Sequence, residues 1–544
     1  MVLLLSKLTF KNTDKLPNEL LQNMIMKHFL TISLLLLFGI YLPAQDFPAQ
    51  NQQFVRIFPG EPVDSIIKKA AHVTPSKKQM AWQEIEFACF IHFGVNTFTN
   101  REWGTKEDVR HLFNPTQLDA RQWAKTISDA GAKELILVTK HHDGFCHWPT
   151  KFTDYSVKNS PWKNGQGDLV AEVAAACKEF GLKFGVYLSP WDIHSPLYGS
   201  EAYNEFFKNQ LRELLTNYGE IAEVWFDGAC GEGPNGQKQV YDWNGYYRLI
   251  HELQPDAVIA IMGPDVRWVG TESGYGRETE WSVVPVSANQ LAEIAASSQQ
   301  KDVGGAFVPI DMMQADLGSR EKIINAGALM WYPAEVDVSI RPGWFYHENE
   351  DSLVKSPEKL VDIYFSSVGR NAGLLLNLPP DKRGLIHEND VKSLLEMKAI
   401  LDKTFDKNLA ENSSIVAKES KAGNPPELML DGDSRTFWTT KPSTKTATLE
   451  FSLENQQEFD VLLLQENITN GQRVEAFSLE AFKDGEWVEL TQGTTIGYKR
   501  LLRFGATTAS KVRLKIISSR DCPELSGFGL FKSSIPVSAS TETY

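Results

Sequence analysis

At 544 residues, 42% hydrophobic and with 14 Trp, 15 Tyr and 30 Phe, the chain is too long for one ordinary domain and rich enough for a large core. A net charge of -14 and a pI near 5.4, with no run of Lys or Arg, argue against a nucleic-acid partner, which needs clustered basic surface. The wealth of Trp and Tyr suits neutral, ring-shaped ligands better.

From Met26, MKHFLTISLLLLFGIYLPAQ has a short basic start, an apolar stretch from about Phe29 to Tyr41 and then Pro-Ala-Gln. This is the pattern of a secretory signal rather than a membrane span, so residues 1–45 are expected to be a signal region, with translation starting at Met24 or Met26. The expected location is secreted or periplasmic, and no later stretch reaches the 18 apolar residues of a span. Cys89, Cys146, Cys177, Cys230 and Cys522 are scattered without metal-ligand spacing and read as mostly buried thiols.

Residues 46–405 form the first expected domain. FACFIHFGVN (87–96) predicts a strand, 118–132 a helix, ELILVTKHHDGF (134–145) a strand, 168–181 a helix capped by Asp168, and KFGVYLSP (183–190) a strand. The helix YNEFFKNQLRELLTNYG, the strand EVWFDG, the helix YYRLIHELQP and the strand AVIAIMG continue the series. Repeated βα units imply a parallel sheet and an α/β, (β/α)8-type barrel, although the alternation blurs after AVIAIMG. From 410 to 544 the pattern becomes short alternating strands separated by turns, an all-β sandwich. Within it, LMLDGDSRTFWTT (428–440) is similar to discoidin-like carbohydrate-binding modules; Asp431, Asp433 and Trp438 could either bind sugar or hold the module together.

Such barrels place their chemistry where strands end. His92, the tandem His141 and His142, Tyr187 and Asp227 each stand at or near a strand's C-terminal end, too many to be loop caps alone. Taken by itself, Asp227 could be a nucleophile, a general base or a metal ligand. A metal needs partners, and adjacent residues on a strand point to opposite faces, so His141, His142 and Asp143 are not expected to close on one ion. Neither a metal nor a cofactor is expected. Glycoside hydrolysis asks for two carboxyl groups in unlike settings beside aromatic surface. The second carboxyl is expected in 268–281, where Glu272 lies in a glycine-flanked stretch; Glu278 and Glu280 are the alternatives, or partners of Arg267 or Arg277.

FIHFGVNTF, EWG (102–104), TKHHDGF, GVYLSPW, EVWFDG and GLLLNLPPDKRGLI, in this order over residues 80–400, resemble the α-L-fucosidases of glycoside hydrolase family 29. The resemblance implies a retaining mechanism through a covalent fucosyl-enzyme, with Asp227 as nucleophile and a fucosylated oligosaccharide or glycoconjugate as substrate. It implies that His92, His141, His142 and Tyr187 hold the fucose hydroxyls, with Trp225 beside the nucleophile and Glu102 and Trp103 as a further sugar-contacting pair. Trp344 is expected to pack on the apolar face of fucose. RWVGTESGYGRETEW resembles the branch selective for α-1,3 and α-1,4 linkages, in which the matching Glu, here Glu272, is the acid/base; Thr271 replaces that branch's usual Asn. The rival readings are a fucosidase of broad specificity that includes α-1,2 linkages and a fucose-binding protein without catalysis.

Overall fold

The computed structural model describes residues 53–286 and 314–535; the expected signal region lies outside them. Eight strands build the catalytic sheet: β1 (Phe87–Ile91), β2 (Glu134–Lys140), β3 (Lys183–Leu188), β4 (Glu223–Phe226), β5 (Val258–Ile261), β6 (Arg267–Trp268), β7 (Ala334–Ser339) and β8 (Gly373–Asn377). The pairing runs β5-β4-β3-β2-β1-β8-β7-β6, parallel throughout, so the first and last strands of this sheet in chain order meet and the sheet curls nearly into a barrel.

Both faces of this sheet are covered, which is why its strands read as unbroken apolar runs. Along β2, Leu135 and Leu137 join the outer cluster beneath the helices, while Ile136 and Val138 join Phe90, Tyr187, Trp225 and Leu375 inside. Helices at Ala120–Asp129, Leu169–Phe180, Glu201–Asn217 and Trp243–Leu253 follow β1 to β4. Asp168 caps the second of them by accepting the Ala171 N–H at 3.0 Å.

The alternation fades after β5 for a structural reason. Strands Val283–Val286 and Ala328–Trp331 pair antiparallel with each other, and the second also pairs antiparallel with Phe54–Arg56, instead of adding a βα unit. The strand β7 is also hard to read, because Glu335, Asp337 and Ser339 alternate with Val336 and Val338 and the polar set is buried.

The C-terminal sheet is antiparallel, ordered Trp438–Thr439, Glu524–Phe531, Ala447–Glu466, Arg500–Ser519, Val474–Lys483 and Glu486–Gly493, with Ser414–Val416 paired to the third of these. Stretches that read as separate strands, LEFSLE and FDVLLLQEN, belong to one long strand with a register shift between Ser452 and Gln457. A true turn does occur at Asp484-Gly485, both with positive φ. Trp438 is fully buried and donates its indole N–H to Ser420 Oγ at 2.8 Å, while Asp433 pairs with Arg435 in the preceding turn. Among the described residues no helix is long and apolar enough to cross a membrane.

Candidate active site

A cavity of about 230 Å³ opens at the C-terminal ends of the barrel strands. Its lining includes His92, Trp103, His141, His142, Tyr187, Trp225, Asp227, Glu272 and Trp344. Of the residues expected at the site, Glu102 stands outside the lining. Its carboxylate accepts the Trp344 and Phe345 backbone N–H groups at 2.7 and 3.2 Å and lies 2.5 Å from His347 Nε2, so it braces the loop that carries Trp344.

Asp227 follows the last residue of β4, two positions after the inward-facing Trp225, and period-two geometry turns it into the cavity. Its Oδ1 accepts the Ala229 N–H at 2.7 Å and its Oδ2 the Tyr187 hydroxyl at 3.0 Å. Gly228 and Ala229 also line the cavity, so the chain beyond the carboxylate adds little bulk. Gly231 comes close to Trp191, where a Cβ would stand 2.2 Å from the indole. Trp191 in turn packs on His142 with ring centroids 4.9 Å apart.

Glu272 sits on the rim, its Oε2 accepting the Trp344 indole N–H at 3.1 Å. Loss of water on its inner side, then the negative charges of Asp227 and Glu102, raise its carboxyl above the usual range, against the opposing Trp344 bond. The other two glutamates of this segment are committed elsewhere. Glu280 is buried between Arg267 and Arg277, and Glu278 pairs with Arg370 and Arg500.

The histidines are neutral acceptors and donors. Burial drives His92 down to about 3 and His141 well below the imidazole range; it also lowers His142, with the Asp227 charge opposing. Hydrogen bonding fixes two tautomers. Asn377 donates its amide N–H groups to Ser339 Oγ and the Trp344 carbonyl, so its Oδ1 must accept from His92 Nδ1 at 2.9 Å. Ser189 donates to the Trp191 carbonyl and so accepts from His142 Nδ1 at 2.7 Å. Each ring keeps Nε2 as an acceptor, that of His142 lying 3.9 Å from Asp227 Oδ2.

His141 and His142 both face the cavity, their rings 4.1 Å apart, contrary to the expectation that neighbours on a strand diverge. The reason is that β2 ends at Lys140 and the chain turns there, so strand alternation no longer applies. Sequence reasoning missed Phe90, Ile261, Trp268 and Asp337, which also line the cavity. Phe90 could have been found from its period-two offset to His92. Asp337 carried a signal in the alternating AEVDVS, but inward polar residues invert the usual amphipathic reading.

The arrangement offers a carboxylate held by two donors, a second carboxyl disposed to keep its proton, neutral imidazole acceptors and indole walls. That set suits acid/base chemistry on a polyhydroxylated ring.

Comparisons with known proteins agree. The Alpha-L-fucosidase family model matches residues 65–404, and the F5/8 type C domain model residues 410–525. Alpha-L-fucosidase 1 of Arabidopsis thaliana is 42% identical over 84% of this chain and 87% of its own. A glycoside hydrolase family 29 fucosidase from Ruminococcus gnavus, solved in complex with fucose, superposes with a TM-score of 0.74 at 32% identity over 89% of this chain and 98% of its own. A family 29 member from a rumen bacterium gives a TM-score of 0.72 at 38% identity, covering 87% of this chain and 79% of that one. The chain thus belongs to the α-L-fucosidase family, the glycoside hydrolases of family 29, and carries a C-terminal F5/8 type C domain.

Proposed function

We propose that the chain is an exo-acting, retaining α-L-fucosidase selective for α-1,3 and α-1,4 linkages, with Asp227 as nucleophile and Glu272 as acid/base. The observation that carries this reading is that the two carboxyls line one small cavity in unlike surroundings, one held by two hydrogen-bond donors and the other, on the rim, raised by loss of water on its inner side and by neighbouring negative charge. Asp227 attacks the anomeric carbon while Glu272 gives its proton to the leaving oxygen. In the second step Glu272, now ionised, takes a proton from the water that cleaves the ester to Asp227. His92 and His142 accept sugar hydroxyls through Nε2, and Tyr187 keeps the nucleophile oriented through the 3.0 Å bond. Trp225 and Trp344 supply indole surface for the ring. A cavity of about 230 Å³ fits removal of one terminal sugar at a time.

The linkage preference is supported by the likeness of residues 267–281 to the α-1,3/1,4-selective branch. Residues 1–45 are proposed to direct export, and residues 46–405 and 410–544 to be the catalytic and sandwich domains. The test of mechanism is trapping with a 2-fluoro-fucosyl donor followed by peptide mass spectrometry. The adduct is expected on Asp227, and an adduct on any other side chain refutes the reading. Release of fucose from a Lewis-type trisaccharide should far outpace release from 2'-fucosyllactose, and equal rates remove the linkage claim. N-terminal sequencing of the exported protein should find it beginning near residue 46.

A further inference from the structure

Asp337 faces the same cavity as Asp227 and Glu272, yet no step above uses it. Its strand, β7, has two chemistries. Val336 and Val338 pack outward into apolar clusters, whereas Glu335 and Asp337 point inward and each accepts an indole N–H at 2.7 Å, from Trp225 and Trp268 respectively. Trp268 also lines the cavity, so the Asp337 bond holds a piece of its wall. That bond occupies Oδ1 and leaves the second oxygen of a residue only 5% exposed.

Burial, and then the negative charges of Glu272 and Glu335, push its carboxyl well above the aspartate range, against the opposing Trp268 bond. The protonated acid is thereby favoured over the carboxylate. A carboxylic acid, unlike a carboxylate, has an O–H to donate, and a ligand hydroxyl in the cavity can accept it.

We propose that Asp337 is a further sugar-binding residue, whose acid group, anchored through Oδ1 by Trp268, forms a hydrogen bond with a hydroxyl of the bound fucose on the β6–β7 side of the cavity. The inference rests on the fucosidase reading above and adds a polar contact on the side where that reading places only Glu272 and Trp344. Because Asp337 lies on a strand rather than a loop, its position is set by the sheet register, in which Val336, Asp337 and Val338 align with Leu374, Leu375 and Leu376 of β8.

The test compares wild type, Asp337→Ala and Asp337→Asn on an aryl α-L-fucoside and its 2-, 3- and 4-deoxy analogues. Asp337→Ala should lower kcat/KM on the parent about 10- to 100-fold, yet change it less than about threefold on the one analogue that lacks the partner hydroxyl. Asp337→Asn, which keeps an acceptor for Trp268 and a donor for the sugar, should recover most of the loss. An equal loss on the parent and all three analogues would mean that Asp337 only props Trp268, and overturns the proposal. Should Asp337→Ala not fold, a crystal of wild type soaked with L-fucose decides. An Asp337 oxygen within about 3.2 Å of a fucose hydroxyl is expected, and a gap filled by protein or water overturns it. Lack of turnover of the parent by wild type would sink the fucosidase reading itself, a result separate from either of these.

Discussion

Glu272 and Glu280 lie eight residues apart in one segment, and replacing each by alanine separates a chemical role from a structural one. Glu280 is 1% exposed, as are the side chains of Arg267 and Arg277 with which it pairs, and its backbone carbonyl accepts from Asn371 and Gln472. Removing the carboxylate leaves two buried guanidiniums without it, a change that costs about 3 to 5 kcal/mol. For a protein of this size that corresponds to a melting temperature lower by roughly 3 to 5 °C. Glu272 is exposed on the rim and its side chain accepts one hydrogen bond, from Trp344, so Glu272→Ala should change stability by less than about 1 kcal/mol. Its turnover should instead fall about 10²- to 10⁴-fold on a substrate with a poor leaving group. Azide should rescue Glu272→Ala on an activated aryl fucoside and yield an α-fucosyl azide, because the small anion displaces Asp227 from the face where the general base has gone. Glu280→Ala, assayed well below its melting point, should keep near wild-type kcat and show no azide product. Thermal melting and product analysis together decide. A stable Glu280→Ala with azide rescue, beside an active Glu272→Ala, would refute the assignment.

Asn377→Ala removes the acceptor that fixes His92 Nδ1, and the Ki for L-fucose should rise about three- to tenfold while kcat changes less, as measured by competitive inhibition. Glu134, Glu223 and Glu335 are buried together inside the barrel, and their carboxyls are raised by burial and, for the first two, by the Glu335 charge. The folded state therefore holds protons that the unfolded chain releases, so the stability these groups contribute is present at low pH and declines as pH rises from about 5 through neutrality. Glu134→Gln, which removes a carboxyl with no hydrogen-bond partner on either oxygen, should flatten that decline in denaturant titrations run across pH. Because Glu272 must be protonated to act as acid and its carboxyl is raised, kcat/KM should fall as pH climbs through that raised pKa, and the Glu272→Ala enzyme rescued by azide should lack this alkaline limb. Trp438→Ala should destabilise the sandwich by about 3 to 5 kcal/mol, whereas Arg435→Ala, on an exposed pair, should stay within about 1 kcal/mol in the same melt.

Local pattern was enough for β1 to β5 and their helices, because each strand is apolar on both faces and each helix shows its own period, with a side-chain cap in some, as at Asp168. It was enough, too, for the positions of His92, Tyr187, Trp225 and Asp227, since a strand's end in a parallel barrel is also the mouth of the site. What residues 262–339 do could not be read in the same way. Their strands Val283–Val286 and Ala328–Trp331 find antiparallel partners in each other, and the second also in Phe54–Arg56, more than 200 residues away in the chain. Sequence favoured Glu272 for its glycine-flanked stretch but left Glu278 and Glu280 as alternatives, because all three are carboxyls within nine residues of one segment. Burial between Arg267 and Arg277, contact with Arg370 and Arg500, and the Trp344 indole separate them, and each of those partners is brought in by the fold. The same holds for Asp337 and Trp268, which become wall residues only when β6 pairs with β7. Residue type and strand period determined which chemistry the chain can carry. Tertiary contact decided the surroundings of each carboxyl, because desolvation and charge pairing depend on neighbours that adjacency along the chain does not encode.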